Sequence, residues 1–314
     1  MHSTHNPSNK SSSLLSLEIA DVSFSVWGDP SIIIQEINPV YKSFIIDDFK
    51  STDKKGMKIH LDMTLTPDIS EYRKIFKSGN AWTIYENNEG YCLTLDASEN
   101  ESPFWYLMIN YNFNETFVFC SEKVITRKGG KIVIPNPITY PLDQVLLMYI
   151  LSFINGMIIH AAGVVINKTS LLFPGKSGAG KSTISNLLMG KENFECLSDD
   201  RIILRENDGI FKAFGTPWPG DAGIAANKGA PISGLFFLNK NRTTSIKKIN
   251  PAEAIERLLP VASIPWYHRE VFPIVLQFVD KLISNIPAYE LSFNKGSEVV
   301  NVLEEFVSKQ KNRI

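Results

Sequence analysis

Cysteine is scarce in this chain of 314 residues: Cys92, Cys120 and Cys196 are its whole supply. Their odd count and wide separation argue against a disulfide framework or a metal-type cluster and favour a reducing compartment, the cytoplasm by default. Charge of either sign in excess is also missing. Lys and Arg total 32 against 33 Asp and Glu, a formal net charge of -1, so no surface is expected for nucleic acid or anionic lipid. There is no internal repeat, and no low-complexity tract beyond the polar start MHSTHNPSNKSSS, read as a disordered tail over 1–13. The apolar patch that follows is short and interrupted by Glu18 and Asp21, unlike a secretory signal. A membrane span is excluded as well. The stretch LLMYILSFINGMIIHAAGVV at 146–165 is nearly uncharged, but Asn155-Gly156 divides it into a helix near 141–154 and a strand near 157–166.

What the chain has is enough apolar residue, 44% of the total, for two domains with cores of their own. From 14 to 135 short β-rich runs such as KIHLDMTL, YCLTLDA, WYLMINYN and ETFVFCS alternate with Asn, Gly, Asp and Ser clusters, which predicts a β-rich N-terminal domain. A boundary is placed near 136. Beyond it, Pro141 with Leu142, Val145, Leu146 and Tyr149 on one face begins an amphipathic helix. The segment 136–314 then mixes strands expected at 157–166, 169–174, 194–206, 210–215 and 234–239 with helices at 181–190, 251–259 and 297–309. That mixture predicts an α/β or α+β domain. Asn250 as cap, Pro251 in the first turn and Glu253 reaching back mark the start of its middle helix.

The most specific signal is LLFPGKSGAGKSTISNLLMG at 171–190. Gly175, Lys176, Ser177, Gly178, Ala179, Gly180, Lys181 and Ser182 satisfy G-x-x-x-x-G-K-[ST], Thr183 follows, and a predicted strand and helix flank the loop. Such a loop turns backbone N–H groups toward a polyphosphate. Lys181 is expected at the β- and γ-phosphates and Ser182 on Mg²⁺. A GTPase is disfavoured: the lookalike of the guanine-reading motif, Asn239-Lys240-Asn241-Arg242, ends in Arg where a carboxylate is needed.

Two further features stand near the loop. Asn167-Lys168-Thr169 reads as a tight hairpin turn, and pairing Ile166 with Thr169 sets His160 opposite Gly175, at the loop mouth. The alternative for His160 is a satisfied core histidine. Asp199 and Asp200 lie inside an apolar run expected to be one strand, so alternation sends one toward the loop and the other toward a neighbouring element or a metal-bound water. The alternative here is a solvated hairpin edge. Trp218, between Pro217 and Pro219, is read as either an acceptor wall or local packing; Arg242 and His268 are read as either phosphate contacts or solvated surface, and are left out of the site in favour of the second.

The runs H-A-A-G-V-V at 160–165, G-K-S-G-A-G-K-S-T at 175–183 and L-S-D-D-R at 197–201, taken in order, resemble the HPr kinase/phosphorylase group of bacterial serine kinases. The resemblance covers roughly 155–240 and implies a phosphate-loop kinase core like that of HPr kinase and phosphoenolpyruvate carboxykinase. It implies further that Asp200 is the proton acceptor, that His160 and Lys181 belong to the active site, and that Ser182 is a magnesium ligand. The family's downstream magnesium glutamate has no obvious match, and Asp221 stands in a comparable place; Asp199 completes the expected metal group. The β-rich first domain differs from that of the carbohydrate-regulating enzymes. With YPLDQVLLMYIL ahead of the histidine strand, the layout is more similar to HPr-kinase-related proteins, including lasso-peptide kinases.

The expected function is therefore Mg²⁺- and ATP-dependent transfer of the γ-phosphoryl to a Ser or Thr hydroxyl, on a peptide or small protein. A small-molecule hydroxyl kinase and a non-catalytic nucleotide-dependent peptide-binding module are the alternatives. Homo-oligomerisation is left open by the sequence.

Overall fold

A computed structural model describes residues 11–35, 37–47, 56–63, 66–95 and 102–311. The chain divides into two compact units, 1–150 and 151–314. Most of the tail expected over 1–13 lies outside the described residues, and Ser12 already opens the first strand.

The first unit is rich in strands: β1 (Ser12–Ile19), β2 (Val22–Gly28), β3 (Ile32–Ile34), β4 (Gly56–Asp62), β5 (Arg73–Ser78), β6 (Trp82–Glu86), β7 (Tyr91–Leu95), β8 (Trp105–Ile109), β9 (Glu115–Cys120), β10 (Thr126–Lys128) and β11 (Lys131–Ile134). Among the described residues one sheet runs β1-β2-β4-β9-β8-β7-β6-β5, and a small one runs β10-β11-β3. Alternation buries Leu17, Ile19, Phe24, Met57, Ile59, Ile84, Leu93 and Leu107 completely. Helix α1 (Leu142–Phe153) starts in this unit and crosses the division. It is not the amphipathic helix expected: residues 145–151 are all buried, as befits a run with no charged residue after Asp143.

The second unit contains β12 (Gly156–Ile166), β13 (Thr169–Pro174), α2 (Lys181–Leu188), β14 (Phe194–Ser198), β15 (Arg201–Asn207), β16 (Ile210–Phe214), β17 (Gly229–Lys240), β18 (Ser245–Lys248), α3 (Pro251–Leu258), β19 (Ala262–Ser263), α4 (Phe272–Asn285), β20 (Ala288–Phe293) and α5 (Glu298–Lys311). It is a mixed α/β arrangement. Asn155, at φ 56°, turns the chain from α1 into β12 and so divides the long apolar stretch. Among the described residues no helix is long and apolar enough to cross a membrane.

Two long strands organise this unit. The first half of β12 pairs with β15 and β19 and its second half with β13 and β14; β17 passes likewise from β16 to β13 and β20. Strands β13, β17 and β20 are parallel neighbours, so their carboxyl ends open on one edge, where crevices form in sheets of this kind. Ile184 and Leu188 of α2, one turn apart, and Val299, Leu303 and Val307 of α5 bury against Val164, Leu171, Phe173 and Phe236. This core fixes α2 directly behind the edge.

Asn250 caps α3 by accepting the Glu253 N–H at 3.0 Å, as expected, but the Glu253 carboxylate turns to Arg257 at 2.6 Å instead of reaching back. A four-residue i,i+4 reach to a cation outcompetes the box. Elsewhere, the buried Glu206 of β15 accepts from Lys281 Nζ at 2.8 Å, from the Gly209 N–H at 2.7 Å and from Asn155 Nδ2 at 3.2 Å. The Lys281 hydrogen bond first, then the Gly209 N–H, hold its carboxyl below the ordinary range against the opposing effect of burial. A depressed folded pKa contributes stability that is complete above the unfolded value and disappears as pH falls through the folded one. Glu206→Gln should therefore lower Tm at neutral pH and flatten its decline toward acid, measured by thermal unfolding across the carboxylate range.

Candidate active site

The loop after β13 has the conformation its glycines permit. Gly178 and Gly180 take φ values of 81° and 108°, in the left-handed region that side chains disfavour. Gly175 is excluded from growing for another reason: a Cβ there would stand 2.7 Å from that of Ala179. Gly180 caps α2 without a side-chain hydrogen bond, which leaves the first N–H groups of the helix directed at the crevice. Lys181 is only 6% exposed. Its Nζ donates to the carbonyls of Gly175 at 2.9 Å and Lys176 at 3.2 Å, folding the side chain along the loop. Burial draws its pKa below the ordinary lysine value, while Asp200 acts the other way.

The hairpin register is the expected one. Asn167 and Lys168 both have positive φ, Ile166 pairs with Thr169, and the Gly175 N–H donates to the His160 carbonyl at 3.0 Å. His160 thus stands at the loop mouth and is half-buried there.

The expected single strand over 194–206 is in fact two, β14 and β15, and Asp199-Asp200 occupy the bend between them. Both strands follow β12, β15 along its first half and β14 along its second, and the Ala161 N–H donates to the Asp200 carbonyl at 3.0 Å across the gap. Because the pair is not in strand conformation, alternation does not separate it. Both residues border the same cavity, but their carboxylates have different partners.

Asp200 is held from two sides. Its Oδ1 lies 2.7 Å from His160 Nε2, and its Oδ2 lies 3.0 Å from Arg201 Nη1. A carboxylate offers acceptors alone, so Nε2 donates. His160 and Arg201 face each other across the β12–β15 ladder, which is why one carboxylate meets both. Burial pushes the Asp200 carboxyl up; the His160 hydrogen bond, then the charges of Arg201, His160 and Lys181, outweigh it and leave the group below its ordinary value. Arg201 is the contact sequence reasoning missed, although it directly follows the aspartates.

Asp199 points elsewhere. It is 3% exposed, and its Oδ1 and Oδ2 accept the N–H groups of Gly220 at 2.9 Å and Ala222 at 2.8 Å. Asp221, between those two, borders the cavity from the loop side.

That cavity measures about 450 Å³ and brings together His160, Ser177, Gly178, Gly180–Thr183, the two aspartates, Gly220, Asp221 and Lys240. The size suits a small-molecule ligand. Gly175, Lys176 and Ala179, expected to bind the nucleotide, are not among its lining residues. Lys240, weighed in the sequence only as part of a guanine-reading lookalike, ends β17 on the same edge and adds a second cation. Trp218 is 6% exposed, which favours the local-packing alternative; Arg242 is exposed as expected, whereas His268, expected at the surface, is 4% exposed.

A polyphosphate fits this donor set: a glycine-rich turn, an uncapped helix start and Lys181. Magnesium fits as well. Among the described residues no three His, Cys, Asp or Glu side chains gather to hold a metal unaided, and Mg²⁺ in phosphate sites uses one or two protein oxygens with phosphate and water for the rest. Ser182 and Asp221 border the cavity and offer oxygens of that kind.

No protein-family model matches the chain, and no curated protein matches it. Among solved structures it is similar to the Hpr(Ser) kinase/phosphatase from Coxiella burnetii, with 14% sequence identity over 50% of this chain and 97% of that one, and a TM-score of 0.30.

Proposed function

We propose that the protein is a Mg²⁺- and ATP-dependent kinase that moves the γ-phosphoryl to a Ser or Thr hydroxyl on a peptide or small protein, with 151–314 as a phosphate-loop core of HPr kinase type. One observation carries this reading: the His160–Asp200 pair, 2.7 Å apart, shares a cavity with Lys181 and the glycine-rich loop. A protein that merely senses nucleotide has use for the loop but not for an oriented carboxylate beside it.

Each residue has a distinct task. The loop N–H groups and Lys181 hold the phosphates and offset their charge. Bound magnesium would neutralise charge on the phosphate oxygens, with Ser182 and Asp221 holding it. Asp200 orients the acceptor hydroxyl and takes its proton as the oxygen bonds to phosphorus and the bond to the departing bridging oxygen breaks. Since its carboxyl sits below the ordinary value, it is a weak base, and the proton moves late. His160 and Arg201 keep the carboxylate in place.

Incubation with γ-labelled ATP and parallel panels of Ser/Thr peptides and small hydroxylated compounds tests the reading. Label on a peptide Ser or Thr is expected; label confined to a small molecule would overturn the acceptor class. Ser182→Ala should raise the Mg²⁺ concentration for half-maximal transfer while leaving the peptide KM unchanged. A magnesium titration identical to that of the unsubstituted protein would remove Ser182 from the metal group.

A further inference from the structure

The loop between β16 and β17 is tied to the sheet by its two ends. At its start the Thr216 hydroxyl donates to the Arg201 carbonyl at 2.8 Å, and the Gly215 N–H donates to the Lys228 carbonyl at 3.0 Å. At its far end the Ala226 N–H donates to the Leu197 carbonyl at 3.0 Å, and Ala225 bridges to Ser198. The tip is different. Gly220 to Gly223 form a turn, closed by the Gly223 N–H on the Gly220 carbonyl at 3.1 Å, with Gly223 at φ 69°. The turn is exposed at Asp221 and Ala222, yet it lies against the cavity. What it meets there is the buried Asp199, with one oxygen on each of two alternate N–H groups.

The fit is close enough to exclude other residues on either side. A Cβ on Gly220 would stand 2.8 Å from Asp199 Oδ2 and 3.1 Å from Asp200 Cβ. On the opposite side, two N–H donors require two acceptor oxygens. Asparagine has one, and its amide nitrogen would confront the second N–H donor to donor.

Resting on the kinase reading above, we propose that Asp199 is a positioning residue: it latches the Gly220–Gly223 turn to the sheet and so holds Asp221 at the cavity, acting on the metal through Asp221. This differs from the expectation that Asp199 is a ligand. The carboxylate that contributes to the metal is then the exposed one on the loop, and the buried one sets its position. It also explains the adjacent pair on one bend: Asp200 serves the acceptor side, and Asp199 anchors the wall facing it.

The test has two arms on the full chain. Hydrogen exchange of the 215–228 segment, without nucleotide or metal, reads the latch; Mn²⁺ binding in the presence of ADP reads its consequence. Asp199→Asn should speed exchange at the turn by roughly 10-fold while the core strands stay protected. Gly220→Ala, which leaves the carboxylate intact, should do the same and serves if the first variant does not fold. Asp221→Asn should leave exchange unchanged. Mn²⁺ affinity should fall by roughly 10-fold in Asp199→Asn and in Asp221→Asn, and the double variant should be no weaker than Asp221→Asn alone, since coupled residues are not additive. Unchanged exchange in both latch variants would overturn the latch. Additive loss in the double variant would make Asp199 a ligand and overturn its role through Asp221. Failure of the unsubstituted protein to bind Mn²⁺ with ADP would contradict the magnesium reading and the route through Asp221, whatever the exchange arm shows, so the two failures are told apart.

Discussion

Asp200→Asn is expected to leave ATP binding in place and to cut phosphoryl transfer by roughly 10²-fold or more, the scale of a lost general base. The substitution keeps the shape of the side chain and retains one acceptor oxygen. It cannot take the hydroxyl proton. Both present contacts are cationic or donor groups, His160 Nε2 at 2.7 Å and Arg201 Nη1 at 3.0 Å, so the amide will turn its oxygen to one and leave the other opposed by its NH₂. On the proposed kinase reading the acceptor site therefore loses its base and part of its alignment, while the nucleotide side, built from the loop and Lys181, is spared. Calorimetry for ATP and mass spectrometry for transfer, on the same sample, separate the two effects. Lost ATP binding would assign Asp200 to the metal instead, and undiminished transfer would mean that it is not the base.

Lys181→Ala should be more severe, removing transfer by roughly 10³-fold or more and weakening ATP binding, because catalysis of phosphoryl transfer is mostly placement and charge. Lys181 is buried, and its Nζ rests on the Gly175 and Lys176 carbonyls. Those hydrogen bonds hold the ammonium on the loop, so removing it costs loop shape as well as charge. Lys181→Arg is a useful companion. A guanidinium keeps the charge but is planar and forked where a compact point charge fits, so binding should recover further than transfer. Turnover unchanged in Lys181→Ala would contradict the kinase reading.

The parts of this site that were legible in the sequence are the local ones. Asn167-Lys168 sets a two-residue turn, the turn sets the register, and the register alone brings His160 to Gly175. The glycine-rich loop needed only eight consecutive residues. The bend at Asp199-Asp200 was not legible, since Leu197 and Ile202 on either side continue an apolar strand pattern. Its cause is distant: the half-strand division of β12 and the N–H groups of Gly220 and Ala222. Helix α4 carries only a weak start signal, Pro273 in its first turn, because Val271 occupies its cap position and offers no side-chain hydrogen bond. Lys240 is exposed at the end of a strand, and only the parallel pairing of β17 with β13 brings it beside the loop.

The central claim is that one cavity binds ATP and delivers its phosphoryl to a hydroxyl. It is tested most directly by quantifying ADP and phosphopeptide in the same sample, with Mg²⁺-ATP and a library of Ser- and Thr-containing peptides. Phosphate on a peptide Ser or Thr, in an amount matching the ADP formed and abolished in Lys181→Ala, is the predicted result. ATP that is bound yet recovered intact across the whole library would contradict it.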